Sequence, residues 1–157
     1  MAMNQGTVLE QEAAIRGIIM RVSHEIDARR WAELRRLFAD QVTTDYTSLF
    51  GGDVQTQSGD ELIAGWRGVL TPLKATQHLL GPIDVEVHNE AATAQCHVRG
   101  YHHAPGAPGG TEWMVAGHYL FELGLTNGTW HIEKMTLQAA YQTGNTKLLQ
   151  EAASIAK

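Results

Sequence analysis

The sequence predicts an α+β fold, a cone in which three helices from the N-terminal half pack on a strongly curved, mainly antiparallel sheet. Three observations carry this reading. Apolar residues recur at helical spacing as far as Leu70, strand alternation broken by turn residues runs from Thr76 to Thr143, and no linker or internal repeat interrupts that order. At 157 residues the chain has the length of one domain, 1–157, enough to bury a core around a single internal pocket.

The first helix opens at the capping box Thr7-Val8-Leu9-Glu10, and Ile15, Ile18, Ile19, Val22 and Ile26 give it one apolar stripe. Trp31, Leu34, Leu37 and Phe38 resume a helical period after the polar Ala28-Arg29-Arg30, which predicts a short second helix at an angle. The β-branched segment VTTDYTSL at 42–49 reads as a strand, and Gly51-Gly52-Asp53 turns it back into a second strand at VQTQ. Ser58-Gly59-Asp60-Glu61 is another capping box; it opens a third helix, marked by Leu62, Ile63, Trp66, Val69 and Leu70, that ends before Pro72. Strands follow at 76–80, 82–88, 92–103, 111–124 and 129–142. Their turn signals are Gly81-Pro82, His88-Asn89-Glu90, the segment APGAPGG at 104–110 and the hairpin pair Asn127-Gly128. The tail NTKLLQEAASIA predicts a closing helix.

Composition narrows the function. Twelve Lys and Arg against seventeen Asp and Glu leave a net charge of −5, and the basic residues form no block, so no nucleic-acid partner is expected. The lone Cys96 cannot form an internal disulfide, and the opening stretch MAMNQGTVLEQEAA is too short and polar for a signal peptide or membrane span. A cytoplasmic protein without membrane attachment is expected. There is no Gly-rich phosphate loop, Gly-x-Ser-x-Gly elbow or His-Glu-x-x-His zinc motif, and the eight histidines show no ligand spacing, so neither metal nor cofactor is expected.

Side-chain direction selects the candidate site. A turn of about 100° per residue places Asp27 at the border of the Ile15/Ile19/Val22/Ile26 stripe, in the last turn of a helix where the dipole disfavours an acid. Strand parity puts Cys96, Val98, Gly100 and His102 on one face and His97, Arg99, Tyr101 and His103 on the other. The first set suits a pocket wall; the second suits water or contact with another copy, a dimer or trimer. His78 shares its face with Thr76 and Leu80. Asp27, Tyr46, His78 and His102 thus converge on inward or border positions, more polar groups than a plain core holds.

The segments IDARRWAELRRLFADQV (26–42), DYTSL (45–49), TQHLLG (76–81), VRGYHH (98–103) and NGTWHIEKM (127–135) together resemble the nuclear transport factor 2-like superfamily, and within it the SnoaL-like group on the side of scytalone dehydratase. The resemblance spans residues 8–143. The Asp before the Trp and the Thr-Gln-His triplet are its most specific parts. It implies that Asp27 and His78 form a catalytic pair, that Tyr46 holds a water against a substrate carbonyl, and that His102 is a second catalytic histidine. Ile26 stands where scytalone dehydratase has another water-holding tyrosine, and Gly117 and Tyr119 stand where it has a substrate-contacting serine and asparagine. Scytalone is therefore not the expected substrate. The pair also resembles the dyad of a dehydrochlorinase in the superfamily, so it points to proton abstraction more than to one leaving group.

The implied chemistry is that of a dehydratase-like lyase or an isomerase: His78, oriented by Asp27, takes a proton next to a carbonyl, and His102 protonates or orients a departing hydroxyl. Leu80, Val98, Met135 and Leu137 are expected to form a dry wall around a small alicyclic or aromatic ligand. The alternative is a module of the same fold that binds a small molecule or assembles without catalysis. It expects a pocket filled by side chains, or Asp27 out of reach of His78. Epoxide hydrolysis by an Asp-Arg-Asp set is disfavoured, because Arg99 has no Asp two residues on and points away from the pocket.

Overall fold

The computed structural model describes residues 6–157; the first five residues of the opening polar stretch lie outside the described residues. The expected architecture is present. Helix α1 (Val8–Asp27) starts at the Thr7 capping box, in which the Thr7 side chain accepts from the Glu10 backbone and the Glu10 carboxylate accepts from Thr7. Its buried stripe is Ile15, Ile19, Val22 and Ile26, each 6% exposed or less. At about 1.5–3 kcal/mol per buried aliphatic side chain, the stripe holds the helix on the sheet. No helix among the described residues is long and apolar enough to cross a membrane.

Helix α2 (Trp31–Arg35) is only five residues long, and strand β1 (Phe38–Asp45) begins where the sequence continued the helix. Phe38, fully buried, belongs to the strand. That strand ends earlier than VTTDYTSL suggests because the Asp45 carboxylate accepts hydrogen bonds from the Thr47 backbone at 3.0 Å and its hydroxyl at 2.7 Å. This local turn starts α3 (Thr47–Phe50), so Tyr46 is the residue before a short helix and not a mid-strand residue. Strand β2 (Gln55–Ser58) and helix α4 (Gly59–Leu70) follow, α4 carrying the predicted capping box at Ser58. Then come β3 (Ala75–Leu80), β4 (Asp84–His88), β5 (Ala91–His103), β6 (Glu112–Thr126), β7 (Thr129–Gly144) and α5 (Leu148–Ile155).

The seven strands form one sheet in the order β2-β1-β7-β6-β5-β3, with β4 also paired to β5. All pairs are antiparallel except β1 with β7. Register shifts in β1 between Phe38 and Thr43, and in β6 at Ala116/Gly117 and Glu122/Leu123, bend the long strands. The bent sheet closes around a core that includes Phe38, Val42, Phe121, Ile132 and Met135, with α1 laid over β3 and β4. On β5 the predicted parity holds: Cys96, Val98, Gly100 and His102 are buried, His97, Arg99 and Tyr101 exposed, and His103 intermediate.

Candidate active site

The last turn of α1 places Asp27 beside β3. Its Oδ1 lies 2.7 Å from His78 Nδ1 and accepts from the Thr76 hydroxyl at 2.9 Å, while Oδ2 accepts from the His78 backbone N–H at 2.8 Å. Thr76 and His78 both reach it because they sit two apart on one strand face. Burial alone would raise the Asp27 pKa, but the His78 ring, the His78 charge and backbone, and the Thr76 hydroxyl together hold it below the ordinary carboxylate value. Asp27 is therefore an anion at neutral pH, and the bonded His78 Nδ1 carries a proton. The other ring nitrogen, Nε2, lies on the side of Gly100: a Cβ built on Gly100 would stand 3.4 Å from it.

His78 opens onto a cavity of about 280 Å³ lined by Ile26, Tyr46, Trp66, Val98, Gly100, His102, Trp113, Tyr119, Leu137 and further apolar residues of α3, α4 and α5. Among the described residues no Lys, Arg, Asp or Glu lines it. Phe50 and Val69, 62% and 46% exposed, stand at its mouth. A second cavity reaches Asp27 from the other side, past Thr76, Gln77 and Glu112, and shares His102 and Trp113 with the first. The pair thus sits in a partition between an apolar chamber and a more polar one.

His102 packs edge-on to His78, ring centroids 5.7 Å apart, and its Nδ1 donates to the Trp113 carbonyl at 3.3 Å. Burial, with the neighbouring His78 charge, pushes its pKa down to about 4. It is neutral at physiological pH, and with Nδ1–H engaged it offers an acceptor nitrogen. Of the two roles expected for it, protonating a departing hydroxyl or orienting one, the second suits a neutral ring with a free acceptor. The Tyr46 hydroxyl has the Met135 thioether as its contact, at 3.9 Å, and burial raises its pKa well above the usual phenol value, as it does for Tyr119. Both phenols stay protonated and can donate.

Of the expected wall, Val98 and Leu137 line the apolar cavity and Leu80 and Met135 do not; of the substrate-side positions that the resemblance implies, Ile26 and Tyr119 line it and Gly117 does not. Leu80, in register with Val98, packs half-buried against the core two residues beyond His78. Gly117 sits at a register shift, where a Cβ would run into the Gln138 carbonyl and the Ala139 backbone, so its role is close strand packing. Met135 is 1% exposed, behind Tyr46. Sequence reasoning missed Thr76 as an Asp27 partner, Gly100 as the space between the two imidazoles, and Trp113 as the His102 acceptor. Gly100 had a signal, an isolated glycine inside a strand pattern. No three His, Cys, Asp or Glu side chains gather as a metal-ligand set among the described residues.

The comparisons with known proteins follow the same architecture. The family model of the SnoaL-like domain matches residues 7–136. Among solved structures, the Kfla4162 protein from Kribbella flavida superposes with a TM-score of 0.86 at 27% identity, covering 92% of this chain and 99% of that one. A candidate scytalone dehydratase from Novosphingobium aromaticivorans matches with a TM-score of 0.76 at 20% identity, over 87% of this chain and 89% of that one. The hexachlorocyclohexane dehydrochlorinase LinA-type3 from Novosphingobium barchaimii matches with a TM-score of 0.74 at 16% identity, over 87% and 91%. No curated protein sequence matches the chain.

Proposed function

The chain belongs to the SnoaL-like domain family, and from that premise we propose that it is a lyase or isomerase that abstracts a proton next to the carbonyl of a small neutral cyclic substrate, using its own side chains. One observation carries the reading: Asp27 lies 2.7 Å from His78 Nδ1 behind the wall of an apolar cavity onto which His78 opens. His78 Nε2 takes the proton from carbon. The imidazolium so formed is held by the Asp27 carboxylate, and a hydroxyl of Tyr46 or Tyr119 donates to the enolate oxygen. His78 then returns the proton to a leaving hydroxyl, giving elimination, or to another carbon, giving isomerisation. His102 orients the departing group through its acceptor nitrogen. The absence of Lys, Arg, Asp and Glu from the lining among the described residues favours a neutral substrate, since an unpaired carboxylate or phosphate there carries a large desolvation cost.

The same-fold binding module expects a filled pocket or a separated Asp27, and the geometry supports neither. A test that needs no knowledge of the leaving group is deuterium wash-in at the α-carbon of a panel of cyclic ketones and β-hydroxy ketones in D₂O, followed by NMR. Wild-type protein is expected to catalyse exchange or elimination with a member of the panel. Asp27→Asn and His78→Ala are expected to lose about 10²- to 10⁴-fold while keeping the fold. Full activity in either variant would sink the mechanism, and tight ligand binding without exchange would favour the binding module. We further propose self-association across the outer sheet face, where Leu79, Tyr101 and Tyr141 are 51%, 39% and 49% exposed beside Arg99; light scattering of Leu79→Lys/Tyr141→Lys against wild type checks it.

A further inference from the structure

We propose that Arg29 is a positioning residue which, through Thr76, keeps Asp27 a proton-free acceptor and thereby fixes His78 in the tautomer whose bare Nε2 faces the cavity. The inference rests on the proposed role of the Asp27–His78 pair and extends it outward by two residues.

A guanidinium only donates. Arg29 Nη1 donates to the Ile26 carbonyl at 3.0 Å and to Thr76 Oγ1 at 2.8 Å, and Nη2 donates to the Leu70 carbonyl at 3.1 Å. Thr76 has one hydroxyl hydrogen. With its oxygen already accepting from Arg29, that hydrogen is directed to Asp27 Oδ1, 2.9 Å away. Asp27 therefore meets donors at Thr76 and at the His78 backbone N–H, and a proton on the carboxylate would face a donor at either. The remaining contact, to His78 Nδ1, is then made as N–H to carboxylate. Remove Arg29 and the Thr76 hydroxyl can reverse, accept from a protonated Asp27, and release His78 to its other tautomer.

The backbone adds an independent reason to see Arg29 as placed for its side chain. It follows α1 at φ 59°, the left-handed region where a helix end ordinarily takes glycine. The strain is held by the three acceptors above and by the Trp31 ring, 5.9 Å from the guanidinium carbon. A non-glycine residue kept in this conformation beside a catalytic pair is the kind of outlier from which a functional role is inferred.

The test reads His78 directly, without substrate. In ¹⁵N-histidine-labelled protein at neutral pH, long-range ¹H–¹⁵N spectra distinguish a protonated Nδ1 from a protonated Nε2. Arg29→Gly keeps the backbone conformation and removes the guanidinium, Thr76→Val removes the hydroxyl at constant shape, and Thr76→Ser restores it; circular dichroism confirms each fold. Wild type and Thr76→Ser are expected to show His78 protonated at Nδ1 with Nε2 bare, and Arg29→Gly and Thr76→Val a shift toward a mixed tautomer. In the exchange assay these two variants are expected to lose about 10- to 100-fold in kcat with KM little changed, the range for outer partners of a working histidine. Should Arg29→Gly fail to fold, Thr76→Val decides. Unchanged His78 nitrogen shifts in folded Thr76→Val overturn the proposal. An active Asp27→Asn variant overturns the catalytic role of the pair but leaves the tautomer result standing, so the two failures are distinguishable.

Discussion

Gly100 holds the space in which the two imidazoles meet. A methyl group there would lie 3.3 Å from His102 Cε1 and 3.3 Å from His78 Cδ2, and neither ring is free to retreat: His78 is tied to Asp27 and His102 to the Trp113 carbonyl. Gly100→Ala is therefore expected to cut the deuterium exchange rate at least about tenfold per folded molecule, because sub-ångström misplacement of a base is costly, and to lower the melting temperature as an overpacked site does. Equal exchange rates in the variant would show that the rings tolerate displacement. At this scale the sequence reveals directions well and partners poorly. Helical and strand periodicity bring Asp27, His78 and His102 to inward positions, but the Thr76 bond to Asp27 joins residues 49 apart, and nothing in either local pattern announces it. The low His102 pKa is equally hidden, since it comes from burial that only the closed sheet provides.

Among the elements, α4 supplies Gly65, Trp66, Val69 and Leu70 to the cavity and hangs on its capping box, with the Glu61 backbone donating to Ser58 at 3.2 Å and the Ser58 backbone donating to Glu61 at 2.9 Å. Ser58→Ala is expected to cost about 1 kcal/mol, lowering the melting temperature by about 2–4 °C without changing exchange per folded molecule; differential scanning calorimetry and the exchange assay check the two halves. Both capping boxes are legible in the sequence because their donors and acceptors lie three residues apart. The boundary between α2 and β1 is not. Leu34, Leu37 and Phe38 satisfy a helical period, but Phe38 is claimed by pairing with Ile132 on β7, a partner no local window contains. Tyr46 is similar: its neighbours are β-branched, and the Asp45 turn overrides that propensity to swing it into the cavity wall.

For the whole molecule, the buried groups make stability depend on pH. His102 takes up its second proton only as the pH falls to about 4 in the fold, against 6.5 for an ordinary histidine, so between these values the unfolded chain binds more protons than the folded one. Stability is full above about pH 6.5 and falls as the pH drops toward 4, by roughly 3 kcal/mol at most. Asp27, held below its ordinary value, acts in the same direction at lower pH. Urea titrations at pH 7, 5.5 and 4 are expected to show this loss, with a flatter dependence in His102→Gln; parallel slopes in the two proteins would assign the loss to other groups. The α+β class and the antiparallel meander are legible because hairpin turns are local. The parallel pairing of β1 with β7 is not, and it has a consequence in time. Joining Phe38 to Ile132 closes a loop of more than half the chain, so this contact is slow to form and brings the first strand against the last. On the ribosome, Asp27 and His78 emerge well before Leu137, yet the chamber they serve has no far wall until β7 is released, so the nascent chain carries its base long before it can shelter a substrate.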